Sequence, residues 1–403
     1  MSHVLYVSQY FVSADQPGGV RHWQHARALA RAGHRVSVVT SYVQHKERTV
    51  PARYAGRRVV REREDGLDVW RTYSTPSYGR DLRSRLASYG TFAWWSLVAG
   101  IRAGRPDVVV ASSPSLPSAA AAAALARARG ARFLLEVRDL WPDSAIAMGL
   151  VRDPRVIAAA RRLERFCYSR ADRIVALTEG IRDGIVAGGV SPAKVTLITN
   201  GIDLEVGAGA PAAPVPVPDD AFVAMYVGAH GTYSSLETVL GAAEALRDDR
   251  DVRLVLVGSG DRKADLVDDA ARRGLGNVVF CDPVPKRAVP SWLARADVCL
   301  LPYQDRALFA GALPNKAFDY LGAGRPIVAA APPGELTRLV EDAGCGLAVP
   351  PEDGAALAAA VRRLAADRPA ARAMGERGAA HARAHYDRAA LAARFVATVE
   401  SLV

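Results

Sequence analysis

The chain has 403 residues, half of them hydrophobic, with 52 Lys and Arg against 42 Asp and Glu, giving a formal net charge of +10. That length is more than one core usually fills, so about two domains are expected, and the apolar content is that of an ordinary soluble protein. Cys167, Cys281, Cys299 and Cys345 are widely scattered, which excludes a paired zinc spacing or a disulfide framework and fits reduced thiols in the cytoplasm.

The charge is uneven: residues 1–200 hold 30 basic and 16 acidic side chains, about +14, and residues 201–403 hold 22 and 26, about −4. A high-GC genome accounts for Arg in place of Lys but not for the difference between the halves. An acidic surface, a lipid phosphate or a nucleic acid accounts for it better. The start, MSHVLYVSQYF, lacks the pattern of a signal peptide, and no apolar run reaches a membrane span.

In chain order, HVLYVSQYF reads as an apolar strand ending in a Gly-rich loop at Gly18 and Gly19. VRHWQHARALARAG has helical spacing, with Gly33 as its stop, and HRVSVVT is the next strand. DVVVASS, an alanine-rich helix, ARFLLEVRD, RIVALT and KVTLITNGID continue the alternation, which predicts a parallel sheet covered on both faces. The Pro and Ala alternation in EVGAGAPAAPVPVPDD predicts an extended linker over 204–220. A second series follows: AFVAMYVGAHG, SLETVLGAAEAL, DVRLVLVGSGD, NVVFCDPV and ADVCLLPY, with a long Ala/Arg helix at the end. Two Rossmann-like halves around a linker predict a ligand cleft between them, at the carboxyl ends of the strands.

The segment LPNKAFDYLGAGRPIVA, from Leu313, carries the most chemistry. Pro314 fits the first turn of a helix, whose free N–H groups seat an anion. Lys316 adds a full positive charge there, and Asp319 lies one turn further on the same face. A phosphate at the helix start and a hydroxylated sugar on the carboxylate form a grip for a sugar nucleotide. The bland reading of the pair is a surface ion pair on one helix.

Taken in order, the N-terminal strand with Gly18 and Gly19, RAGHRVSVVT, ITNGID and LPNKAFDYLGAGRPIV resemble a GT-B glycosyltransferase of family 4 over nearly the whole chain. EVRDLWPDS, from Glu136, further resembles the branch acting on bacterial surface sugars, including N-acetylfucosamine transferases of O-antigen synthesis. The resemblance implies an α/β protein with two Rossmann-like domains facing across a cleft. Their expected bounds are 1–203 for the acceptor domain and 221–384 for the donor domain, with a C-terminal helix over 385–403 returning to the first. It also implies a retaining transferase that uses a nucleoside-diphosphate sugar and needs neither cofactor nor metal. The leaving diphosphate would itself accept the acceptor's proton.

Carried onto this sequence, Lys316 contacts the diphosphate, assisted by N–H groups near Ala312 and Leu313. Asp319 accepts the ribose hydroxyls, Gly18 and Gly19 let backbone approach the diphosphate, and the base rests near Val284. Arg138 and Asp139 hold acceptor or donor sugar. Three positions depart from the family pattern. Gly311 stands where a first acid usually precedes Asp319, His230 and Thr232 stand where Arg and Lys usually follow the second domain's first strand, and Arg138 replaces a His. Trp141 reads as packing, and Asp249-Arg250-Asp251 reads as a solvated turn, not a metal site.

The expected donor is UDP-linked, an N-acetylated hexosamine among the options, and the expected acceptor is a glycan or a polyprenyl-linked sugar. A small soluble metabolite is the alternative acceptor, and a non-catalytic sugar-nucleotide-binding protein a distant one. Nucleic acid is not an expected partner, because no basic stripe interleaved with aromatics is present. The segment from Arg80 to Arg105 combines Arg flanks with Tyr89, Phe92, Trp94 and Trp95. It is expected either to face an anionic membrane surface, on the cytoplasmic side, or to lie buried on the sheet.

Overall fold

The computed structural model describes residues 1–12, 20–43, 49–76, 82–203 and 212–403. These form two compact units, residues 1–199 with 391–403, and residues 200–390.

The first unit's sheet contains β1 (His3–Val7), β2 (Arg35–Ser41), β3 (Val59–Glu64), β4 (Leu67–Thr72), β5 (Val108–Ser112), β6 (Arg132–Val137), β7 (Arg173–Ala176) and β8 (Val195–Leu197). Their order is β3-β4-β2-β1-β5-β6-β7-β8. Every neighbouring pair is parallel except β3 with β4. That hairpin is not among the expected strands. Its turn is Asp65-Gly66, both at positive φ (52° and 80°), the geometry a two-residue hairpin loop demands.

Helices cover both faces, so the central strands read as unbroken apolar runs. Leu5, Val7, Val109 and Leu135 face a layer formed by Leu82–Arg102, Leu116–Arg129 and Pro154–Arg170. Val4, Tyr6, Val110 and Leu134 face Arg21–Arg31 and the C-terminal residues Leu391, Phe395, Val396 and Val399. Local chemistry sets the helix ends. Asp153 accepts from the Arg155 N–H at 2.8 Å with Pro154 in the first turn, and Thr178 accepts from the Ile181 N–H at 3.1 Å.

The second unit's sheet contains β9 (Phe222–Val227), β10 (Val252–Val257), β11 (Val278–Cys281), β12 (Val298–Pro302), β13 (Ile327–Ala330) and β14 (Gly346–Val349). It is parallel throughout, in the order β11-β10-β9-β12-β13-β14. The order reverses between β9 and β12, so their carboxyl ends form the switch point where such sheets bind ligands.

The second unit begins at Asn200, not after residue 203, and keeps the chain as far as 390. Backbone pairing explains this: the Ile202 N–H donates to Tyr386 O at 2.8 Å, and Ile202 O accepts from the Arg388 N–H at 2.9 Å. All four cysteines are free thiols and buried. No helix among the described residues is long and apolar enough to cross a membrane.

Candidate functional site

In the second unit, Lys316 lies in the first turn of the helix Asn315–Gly322. Pro314 precedes that helix in extended conformation (ψ 149°) and is not its first residue. The Lys316 Nζ donates to the Tyr226 hydroxyl at 2.7 Å and lies 4.4 Å from the centre of the Tyr226 ring. Tyr226 OH in turn donates to Ala229 O at 2.7 Å. The chain after β9 passes so close that a Cβ on Gly228 would meet Lys316 Cε at 2.6 Å, so any larger residue there would have to displace the end of the lysine side chain. Burial works against the Lys316 charge, the Tyr226 and Tyr303 phenols favour it, and the balance holds its pKa above the ordinary lysine value. Tyr320, from the same helix, accepts from the Val227 N–H at 2.9 Å and ties that helix to the end of β9.

Asp319 does not pair with Lys316. Lys286 reaches its two carboxylate oxygens at 2.6 and 2.5 Å. Lys286 and Asp319 are 38% and 25% exposed, so solvent screens the pair and its net worth is at most about 1 kcal/mol. The surface ion pair considered for Lys316 and Asp319 is therefore absent. The Val284 main chain, two residues before Lys286, makes no hydrogen bond among the described residues.

His230 is fully buried, and neither ring nitrogen has a partner among the described residues. Burial, then Lys263 and Lys316, lower its pKa to about 4, so it is a neutral imidazole. Its backbone knits the strand ends together: its N–H donates to Ser259 O and its carbonyl accepts from the Arg262 N–H, both at 3.0 Å. The ring therefore closes no turn by a hydrogen bond among the described residues. Lys263, unnoticed in the sequence, bridges the ends of β10 and β11, donating to Gly258 O at 3.0 Å and to Cys281 O and Asp282 Oδ1 at 2.9 Å.

Two of the expected backbone contributors divide. The Ala312 N–H is already given to Phe309 O at 3.1 Å, because a 3₁₀ turn over Ala307–Gly311 closes on it, so it is not free for a phosphate. The Leu313 N–H makes no hydrogen bond among the described residues, while its side chain anchors in the core. Gly18 and Gly19 lie outside the described residues.

The first unit holds a second charged centre, which the sequence reading missed. Glu136, wholly buried at the end of β6, accepts from Arg21 Nε at 2.7 Å, His22 Nε2 at 3.0 Å and Ser112 Oγ at 2.9 Å. Burial would raise its pKa, but Arg21 and His22 hold it well below the carboxylate range. His22 Nδ1 lies 3.0 Å from Ser8 Oγ, which is consistent with Nε2–H donating to Glu136. His25 stacks on Phe395 at 4.0 Å, and burial holds its pKa well down. A carboxylate inside the apolar strand RFLLEV was the available signal, since a buried charge must be paired.

Arg138 and Asp139 continue this strand end. Arg138 is exposed, with Nη1 3.4 Å from His22 Nε2, and its N–H donates to Ser113 Oγ at 2.9 Å. Asp139 accepts from Ser144 Oγ at 2.9 Å, and burial raises its pKa. Arg138 and Asp139 form no salt bridge with each other among the described residues; Ser144 closes the turn instead. In the second unit, Asp249 binds Arg362 Nε at 3.0 Å, as an ion-paired turn.

Two parallel doubly wound units, one with a cation and an acid at its switch point, define a class. The chain is a glycosyltransferase of the GT-B fold. Its first part matches the Glycosyl transferase 4-like domain family over residues 18–201, and its second matches Glycosyl transferases group 1 over residues 221–367. WcaI of Escherichia coli K12, named a colanic acid biosynthesis glycosyl transferase, is 29% identical over 351 residues, 83% of this chain and 85% of that protein. Sucrose-phosphate synthase from Thermosynechococcus elongatus shares the fold with a TM-score of 0.74 at 20% identity, over 100% of this chain and 99% of that one. Anabaena HepE, solved in complex with UDP-glucose, shares it with a TM-score of 0.70 at 15% identity, over all of both chains.

Proposed function

We propose that this glycosyltransferase moves a sugar from a UDP-sugar to a hydroxyl of a glycan or polyprenyl-linked acceptor, with retention at the anomeric carbon and without a metal. The observation that carries the donor reading is Lys316, held by Tyr226 and Gly228 at the end of β9, with Asp319 one turn along the same helix. HepE, of the same fold, is solved in complex with UDP-glucose, and WcaI is named for colanic acid biosynthesis, which supports a glycan-building reading. An N-acetylated hexosamine fits the resemblance to N-acetylfucosamine transferases.

In this reading Lys316 takes the charge that builds on the departing diphosphate, where a charge-assisted hydrogen bond contributes roughly 1.5–3 kcal/mol. Asp319 exchanges Lys286 for ribose hydroxyls, and the free Val284 main chain meets the base. Arg138 and Asp139 orient a sugar. The acceptor's proton passes to the diphosphate oxygen as the glycosidic bond breaks, so the protein needs no side-chain base. Arg138 cannot serve as one near neutral pH.

A thermal-shift screen of UDP, GDP and ADP and their sugars tests the donor, with chelator present throughout. UDP and its sugars should stabilise the protein most. No stabilisation by any nucleotide removes the reading. Transfer to a small soluble sugar but not to a lipid-linked one would reassign the acceptor, and the anomeric configuration of the product, read by NMR, tests retention.

A further inference from the structure

Away from the chain ends, five large apolar side chains are exposed among the described residues: Leu86, Trp94, Ile101, Phe166 and Val267. The first four belong to helices of a single layer of the first unit, Leu82–Arg102 and Pro154–Arg170. Trp94 is 63% exposed and Ile101 54%, although Phe92 and Ala99 of the same helix are fully buried against the sheet. At roughly 100° per residue, Leu86, Trp94 and Ile101 fall within about 80° of arc. They form one outward stripe on a helix of 21 residues, about 31 Å long.

The charge around the stripe is predominantly positive. From Arg83 to Arg129 the chain holds six arginines and one acid, Asp107, whose carboxylate is taken up by the His3 N–H at 2.7 Å. Arg129 donates to Ile101 O at 3.2 Å, which brings its guanidinium beside the stripe. Arg170 lies 5.4 Å over the Phe166 ring, on a helix with five arginines and one acid, Glu164.

An exposed tryptophan and two aliphatic side chains between arginines match a surface that is apolar at depth and anionic at its edge. A second copy of this face would bring arginine against arginine, which disfavours self-association. We propose that this helix layer docks on an anionic phospholipid bilayer, with Leu86, Trp94 and Ile101 at the boundary between headgroups and acyl chains. The arginines would then lie at the lipid phosphates. The inference supplies a surface for the lipid-linked acceptor of the proposed reaction, but its test does not depend on that reaction.

The full-length protein is sedimented with vesicles of phosphatidylcholine alone and of phosphatidylcholine mixed with phosphatidylglycerol. Binding to the mixed vesicles and not to the neutral ones is expected, and it should fall steeply when salt shortens the screening length. Trp94→Ser combined with Ile101→Ser should weaken binding roughly tenfold or more while leaving the circular dichroism and the melting temperature unchanged, because both side chains already face water. Equal binding of the two vesicle types, indifference to the double substitution, or a Trp94-dependent dimer in place of vesicle binding would each overturn the proposal. The doubly substituted protein should retain its thermal shift with nucleotide. Loss of nucleotide binding in the parent chain would sink the donor reading and leave the vesicle result standing.

Discussion

At the scale of single residues, Lys316 is the side chain on which most depends. Tyr226 keeps Ala229 O as a partner when the lysine is gone, so Lys316→Ala should fold with a near-normal melting temperature and lose roughly 100-fold in kcat/KM. Turnover within about threefold of the parent would refute its diphosphate role. Asp319 and Lys286 give a sharper pair, because the reading makes the lysine a competitor of the ribose. Asp319→Ala should weaken UDP binding about tenfold, whereas Lys286→Ala should leave it unchanged or tighter, with stability altered by no more than about 1 kcal/mol. Calorimetric titration of both variants distinguishes this from a merely structural ion pair, for which neither change would alter binding. Lys316 and Asp319 were visible in the sequence because they share one helix turn. Lys263, Lys286 and Glu136 were not, because their partners come from other strand ends: Lys286 meets Asp319 across 33 residues and Glu136 meets Arg21 across 115.

At the scale of elements, the alternation of strands and helices was legible because each central strand is buried on both faces and so spells an apolar run. The β3–β4 hairpin escaped because Arg61, Glu62, Arg63 and Glu64 hide its period, leaving only the Asp65-Gly66 turn as a cue. The C-terminal helix shows what packing adds to propensity. Phe395 and Val399 are fully buried, and Leu391 is 5% exposed, in the core of a unit whose other residues end at Thr199. Each such side chain contributes roughly 1.5–3 kcal/mol. A chain ending at Ala390 should therefore lose the first unit's thermal transition or aggregate, while nucleotide still stabilises the second unit. An unchanged melting profile for the truncated chain would contradict this.

At the scale of the molecule, buried ionisable groups link stability to pH. Burial lowers the pKa of His3, His22, His25 and His230, the last to about 4, so all four bind protons more readily unfolded than folded. Their contribution to stability is present above the unfolded value near 6.5 and is lost as pH falls through the folded values. Glu136, held well below its ordinary pKa, adds a loss of the same sign at more acid pH. The melting temperature should hold near neutrality and fall progressively from about pH 6.5 toward pH 4. A flat profile across that window would show that these histidines titrate alike in the folded and unfolded states.

The sequence by itself determined the doubly wound class, the two-part organisation and the helix that bears Lys316 and Asp319. Each of these is written in local periodicity or in neighbours one helix turn apart. Tertiary structure alone decided that Asp319 faces Lys286, that the Ala312 N–H is spent on Phe309, that Glu136 gathers Arg21 and His22, and that Trp94 faces water. These are contacts between strand ends and choices of helix face, set by which elements the sheet order brings together, and no local pattern encodes them.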